Sequence, residues 1–196
     1  MLLVVAGMGA AGCSSSSHSS EPPPTTTAAV TTTVTAPEPA TTEPTDTLPG
    51  AGTAPVVAPA TANGTSLLDR VAVGRHAGYD RVVFGFRTQG LPGYRVEYVQ
   101  PPLKEDGSGN PVSVAGNAFV VVRMEPASGF DVSTGEGVLV YKGPKRLPGA
   151  SVVKEVVRTG DFEAVLSWAI GLEAKVPFRV TTATSPSRLI VDFRNA

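Results

Sequence analysis

Three observations predict an all-β fold for residues 67–196 of this chain. The region runs in short stretches rich in Val, Ile and aromatic residues, separated by Gly and Pro. Nowhere does it present apolar side chains at the 3.6-residue period of a long amphipathic helix. Two parts of it also repeat the same order of strand-like motifs, which predicts a β-sandwich of two similar units of three to four strands each, their apolar faces buried against one another.

The strands follow in order. Residues 81–87 place Val82, Phe84 and Phe86 on one face, the period of two expected of a half-buried strand. Residues 94–99 alternate likewise through Tyr94, Val96 and Tyr98. Residues 119–124 (FVVVRM) are apolar without alternation, which suits a strand covered on both faces. Residues 152–157, 164–170, 178–182 and 188–193 complete the set. Trp168, in phase with Leu166 and Ile170, belongs to the core. The repeat pairs Gly78-Tyr79-Asp80, Tyr94-Arg95-Val96 and Phe119–Val122 with Gly160-Asp161-Phe162, Phe178-Arg179-Val180 and Leu189–Asp192. Only the first unit carries a long excursion, residues 100–118, before its last strand.

The region before this domain has a different texture. Residues 14–66 contain 14 Thr and 9 Pro and no Lys, Arg or aromatic residue, whereas all 16 basic and all 12 aromatic residues fall after it. Such a segment cannot bury enough apolar surface to offset chain entropy, so it is expected to be a disordered Thr/Pro-rich linker, kept extended by proline. Residues 1–13 are small and apolar and end in Ala10-Ala11-Gly12-Cys13, with Cys13 the only cysteine of the chain. No intramolecular disulfide can form. The junction resembles the lipobox of bacterial lipoproteins, in which the cysteine becomes the lipid-bearing N-terminus. Lipidation at Cys13 would anchor the protein to the outer face of the cell membrane. The segment lacks the Lys or Arg that opens a signal peptide, so a start upstream of Met1 is expected. A formal net charge of −1 argues against a nucleic-acid partner. No run of about 20 apolar residues provides a transmembrane helix.

The second unit ends in Pro186-Ser187-Arg188-Leu189-Ile190-Val191-Asp192-Phe193, after Gly160-Asp161 and Phe178-Arg179-Val180. In these motifs it is similar to the AMIN domain, a β-sandwich module of bacterial envelope proteins. The block over residues 67–196 resembles the AMIN-like lipoproteins of actinobacteria. The resemblance implies a non-catalytic domain that binds peptidoglycan or another envelope component, with no cofactor. It makes Asp161, Arg179 and Arg188 candidate ligand-binding residues. Arg188 and Asp192, at even spacing, are alternatively a structural pair.

Arg75, His76, Tyr79 and Asp80 form a polar turn entering a strand and are the remaining ligand-binding candidates. His76 and Asp80 lack a nucleophile in a recognisable elbow, so an envelope hydrolase is the weakest alternative. One His in this region and no second Cys give no zinc site. The acidic, Gly-rich residues 105–110 read as a turn rather than a calcium loop, and the basic stretch Lys142 to Arg146 as a solvated loop. A carrier of lipid or another small apolar ligand is the other alternative and would need a cavity in place of a filled core.

Overall fold

The computed structural model describes residues 48–133 and 135–195, and every element among them is a strand or a turn. In chain order these are β1 (Val56–Ala58), β2 (Ser66–His76), β3 (Tyr79–Phe86), β4 (Gly93–Val99), β5 (Ala118–Glu125), β6 (Ala127–Ser128), β7 (Phe130–Asp131), β8 (Val138–Leu139), β9 (Arg146–Pro148), β10 (Val153–Phe162), β11 (Val165–Leu172), β12 (Phe178–Thr184) and β13 (Ser187–Arg194). Cys13, the expected lipidation site, and residues 14–47 of the expected linker lie outside the described residues.

Two sheets form the sandwich. One has the order β12-β13-β3-β2-β6 and the other β1-β4-β5-β11-β10-β9, while β7 and β8 make a separate ribbon. The all-β expectation is met, and the duplication is visible in the pairing. Matching β2, β3, β4 and β5 with β10, β11, β12 and β13 converts the order β12-β13-β3-β2 into β4-β5-β11-β10, the core of the second sheet. The units do not stack as two separate sheets, however. Each contributes one hairpin to each sheet, and the sheets are stitched at their centres by β3 against β13 and β5 against β11.

The core follows from this alternation. Val82, Phe84 and Phe86 point inward from β3, Val96 from β4, Val120, Val122 and Met124 from β5, and Leu189, Val191 and Phe193 from β13. Trp168 is fully buried between Phe84, at 6.0 Å, and Tyr141, whose ring meets it edge-on at 5.5 Å. Each fully buried Leu, Val or Phe contributes about 1.5–3 kcal/mol through the surface it removes from water.

Two departures from the sequence expectation have local causes. The ordered fold begins well before residue 67. Val56–Ala58 pair with Val96, Arg95 and Tyr94, Gly52 bridges Phe178, and the Thr61 and Ala62 amides donate to the Leu91 carbonyl. This stretch is held by the backbone groups of edge strands, with Leu48 fully buried and Val56 packed against the core. The turn equivalent to Ala77-Gly78 is also not at Gly160-Asp161, which lie inside β10. It is at Glu163-Ala164, where both residues have positive φ, 51° and 59°, the backbone of a two-residue hairpin turn.

Candidate functional site

The two sandwich faces that look away from the core are not equivalent. Over the six-stranded sheet, the segment between β4 and β5 folds back, so that Leu103 and Val114 pack with Val157 and Ala169 and with the flanking Val99, Phe119 and Val121 into a second small core. The apolar run of β5 is therefore covered on both sides, as its sequence suggested. Gly171 permits the close approach, because a Cβ there would run into the Ala115 carbonyl. The five-stranded sheet has no such cover from the corresponding excursion, since β12 and β13 are joined by a tight turn.

Side chains on that open face come in cross-strand rows set by the register. Arg188, Gly85 and Arg70 form one row, and Ile190, Val83 and Ala72 the next. Asp192, Arg81 and Gly74 follow, with Arg179 beside Asp192 on β12. Tyr79 and His76 close the series.

Asp192 is completely buried beneath two guanidinium groups. Arg81 donates from Nε to Oδ1 at 2.6 Å and from Nη2 to Oδ2 at 2.9 Å, and Arg179 donates from Nη2 to Oδ2 at 3.1 Å. The hydrogen bonds to Asp192 raise the Arg81 guanidinium above its ordinary value, outweighing the desolvation that opposes them. Asp192 thus pairs with Arg81 and Arg179 and not with Arg188, which corrects the expected Arg188–Asp192 pair. At the end of the face the rings of His76 and Tyr79 stack, 4.9 Å apart and 11° from parallel, and the Arg81 guanidinium lies 5.2 Å from the Tyr79 ring centre. Between Arg70 and Arg188, where Gly85 has no side chain, the surface falls into a cavity of about 360 Å³.

Of the sequence candidates, the structure brings His76, Tyr79, Arg179 and Arg188 together on this face. It separates the others. Asp80 points to the opposite side of the sheet and is buried; its Oδ2 accepts from the backbone amides of Ser151, at 2.7 Å, and Val153, at 3.0 Å. Arg75, opposite Asp80 in the register, is exposed at the sheet's end. Asp161 accepts from the Ser128 hydroxyl at 2.7 Å and the Gly129 amide at 2.9 Å, and so holds the start of the β7–β8 ribbon. The carboxylates at 80 and 161 are loop ties. Sequence reasoning missed Arg70 because β2 was not recognised as a strand, and Arg81 because its partner Asp192 is set by the register of β3 against β13.

The other two motifs resolve simply. Residues 105–110 form a turn closed by the Glu105 amide on the Asn110 carbonyl. Within the basic stretch, Lys145 pairs with Glu105 at 2.6 Å and Arg146 with Glu155 at 3.0 Å. The carboxyl of Glu105 is held below its ordinary value by Lys145 first and Ser108 second.

The architecture defines a class: a duplicated β-sandwich with one partly covered outer face and one open, arginine-rich outer face. The sequence profile of the AMIN-like domain matches residues 66–195. The chain belongs to the AMIN-like domain family, as its motifs suggested. No curated protein and no solved structure matches the chain.

Proposed function

We propose that the protein is a non-catalytic envelope lipoprotein whose AMIN-like domain binds peptidoglycan or another envelope component through the open face of the five-stranded sheet. AMIN-like domains are generally associated with envelope binding. One structural observation carries the reading to a surface. Of two outer faces related by the duplication, the more open one holds Arg81 and Arg179 on a single buried carboxylate, Asp192, with Arg70 and Arg188 in a neighbouring row and a His76–Tyr79 stack beside them. Guanidinium groups recognise carboxylates in planar, two-point fashion, and exposed ring faces suit the apolar faces of sugars. Peptide-substituted glycans of a cell wall offer both.

In this reading Cys13 carries the lipid, the Thr/Pro-rich stretch spans the distance from the outer face of an actinobacterial membrane to the wall, and the domain contributes binding alone. The packing does not favour an apolar carrier. The cavity of about 360 Å³ lies on the outer surface and is flanked by arginines, while the interior between the sheets is filled by Trp168, Phe84, Phe178 and Phe193. The chain carrying Cys13→Ser is expected to sediment with insoluble peptidoglycan at moderate salt and to lose most of that binding on Arg81→Gln combined with Arg179→Gln. Equal sedimentation of both proteins, or of neither, overturns the assignment. Mass spectrometry of the mature N-terminus tests the anchor: a diacylglycerol on Cys13 is expected, and an unmodified cysteine removes it.

A further inference from the structure

We propose that the cavity between Arg70 and Arg188 is a subsite for a free carboxylate on a small aliphatic residue, the chemistry of the end of a wall peptide. The proposal rests on the wall-binding reading of this face and adds a ligand to it.

Arg188, Gly85 and Arg70 lie side by side on β13, β3 and β2. With neighbouring strands about 4.8 Å apart, the two arginine backbones are separated by about 10 Å. Gly85, between them, leaves the gap unfilled. Its backbone does not require glycine: φ lies outside the left-handed region, and a Cβ would meet nothing nearer than 3.5 Å, from the Arg70 Cβ and Asp69 Oδ1. The empty space is therefore a property of side-chain choice and not of backbone geometry.

Charge completes the case. Arg188 has a buried Nε with no hydrogen-bond partner, and neither Arg188 nor Arg70 is ion-paired among the described residues. Every other arginine of this face has an acid or a carbonyl partner. The one acid at the rim, Asp69, sits beside Gly85 and is 4.0 Å from Arg87. The three arginines and one aspartate leave an excess of two positive charges. An anion bound between the two side chains would pair with two guanidinium groups that no acid among the described residues neutralises. The floor and wall are Val83, Ala72 and Pro186, which suit a methyl-sized group next to the carboxylate better than a bare, fully hydrated anion. The volume of about 360 Å³ is at the lower end of small-molecule sites, enough for one or two small residues.

The test uses the whole chain carrying Cys13→Ser, with N-acetyl-D-alanyl-D-alanine as the probe, followed by calorimetry or amide chemical shifts. Saturable binding is expected. It should weaken at least tenfold for the peptide amide, for Arg188→Gln and for Arg70→Gln, whose side chain is exposed and whose loss leaves the fold intact. Gly85→Val keeps both charges and fills the gap, and it is expected to abolish binding with an unchanged thermal midpoint. Arg123→Gln, on the other sheet, should bind as the parent does. Inorganic phosphate competing as well as the peptide would make the cavity a general anion site and overturn the proposal. Preference for N-acetyl-L-alanyl-L-alanine would move it to a protein carboxyl terminus and overturn it too. No peptide binding by a chain that still sediments with peptidoglycan removes the subsite and leaves the wall-binding reading standing. Peptide binding without sedimentation does the reverse.

Discussion

Arg81 and Asp192, 111 residues apart, join the two halves of the duplication: one lies on β3 of the first unit, the other on β13 of the second, and they meet directly opposite one another in the central pair of the sheet. Arg179 approaches the same carboxylate from β12. The arrangement serves two purposes at once. It neutralises a fully buried carboxylate, and it fixes two guanidinium groups, each with under a third of its surface exposed, in a defined orientation on the open face.

Replacing Asp192 with Ala would leave those two guanidinium groups adjacent and without an anion. Breaking a fully buried pair costs about 3–5 kcal/mol, and partial solvation of both arginines brings the expectation here to about 2–3 kcal/mol. Arg81→Lys keeps one charge–charge contact but loses the two-point geometry, and about 1 kcal/mol is expected. Denaturant midpoints measure both. A loss below about 0.5 kcal/mol for Asp192→Ala would mean that the network is not a structural element.

Asp80 makes a comparable tie between the sheets. Its carboxylate holds the amides of Ser151, just before β10, and Val153, its first residue, although Asp80 itself lies on β3. Asp80→Ala strands two amides in a buried environment and is expected to cost about 2–4 kcal/mol, whereas Asp80→Asn, whose carbonyl oxygen can still accept both, should cost about 1 kcal/mol. Peptidoglycan sedimentation by the Asn variant should match the parent, because this carboxylate points away from the open face. Loss of sedimentation with stability retained would restore Asp80 to the ligand-binding set.

These two aspartates also show what the sequence could reveal. Runs rich in Val, Ile and aromatic residues located seven strands, and period-two alternation placed the inward face wherever side chains such as Val82, Phe84 and Phe86 obey the pleat without interruption. It failed for β2, where the register slips between Leu68 and Arg70. Leu68 and Val71 both face the core, so the spacing is three and the pattern looks irregular. It failed again at β1, whose three residues are too few to show alternation although Val56 packs against the core. The site was half legible for the same reason. Arg179 and Arg188 stand in a recognisable motif, but their neighbours Arg81 and Arg70 are defined only by cross-strand register, and Asp80 looked like a ligand-binding carboxylate because its amide partners are more than 70 residues away.

The cover over the second sheet depends on Gly171. A methyl group there would collide with the Ala115 carbonyl and come within 2.9 Å of Val114 Cγ1. Gly171→Ala should push residues 112–116 off the sheet, expose Leu103 and Val114, and cost about 1–3 kcal/mol. Limited proteolysis is expected to cut the displaced segment first. Unchanged cleavage and an unchanged midpoint would show that the loop yields without cost.

Acid should loosen the turn over residues 105–110. The Glu105 carboxyl is depressed by Lys145 and Ser108, so its contribution to stability is present above its ordinary value of 4.5 and is lost as pH falls through the lower folded value. The group is solvent-exposed and the effect is correspondingly small. The parent chain should lose slightly more stability between neutral pH and pH 3 than Glu105→Gln does. Identical pH profiles would show that the pairing adds nothing.

The turn between β10 and β11 stores strain that can be relieved. Glu163 and Ala164 both sit in the left-handed region, where an L side chain costs about 1–2 kcal/mol and glycine costs almost none. The conformation is fixed from outside: the Ala164 carbonyl accepts the Ala127 amide at 2.7 Å, and the turn thereby secures β6, which lies against β2 at the edge of the other sheet. A turn of this type favours Asn followed by Gly. Ala164→Gly trades the steric cost for some added freedom in the unfolded chain, with a net gain of about 0.5–1 kcal/mol. In a domain of this size that raises the thermal midpoint by about 1–4 °C. Adding Glu163→Asn should increase the gain, and the two effects should be close to additive only if the Ala127 hydrogen bond survives. A lower midpoint for Ala164→Gly would mean that the alanine methyl makes a contact worth more than the strain it imposes.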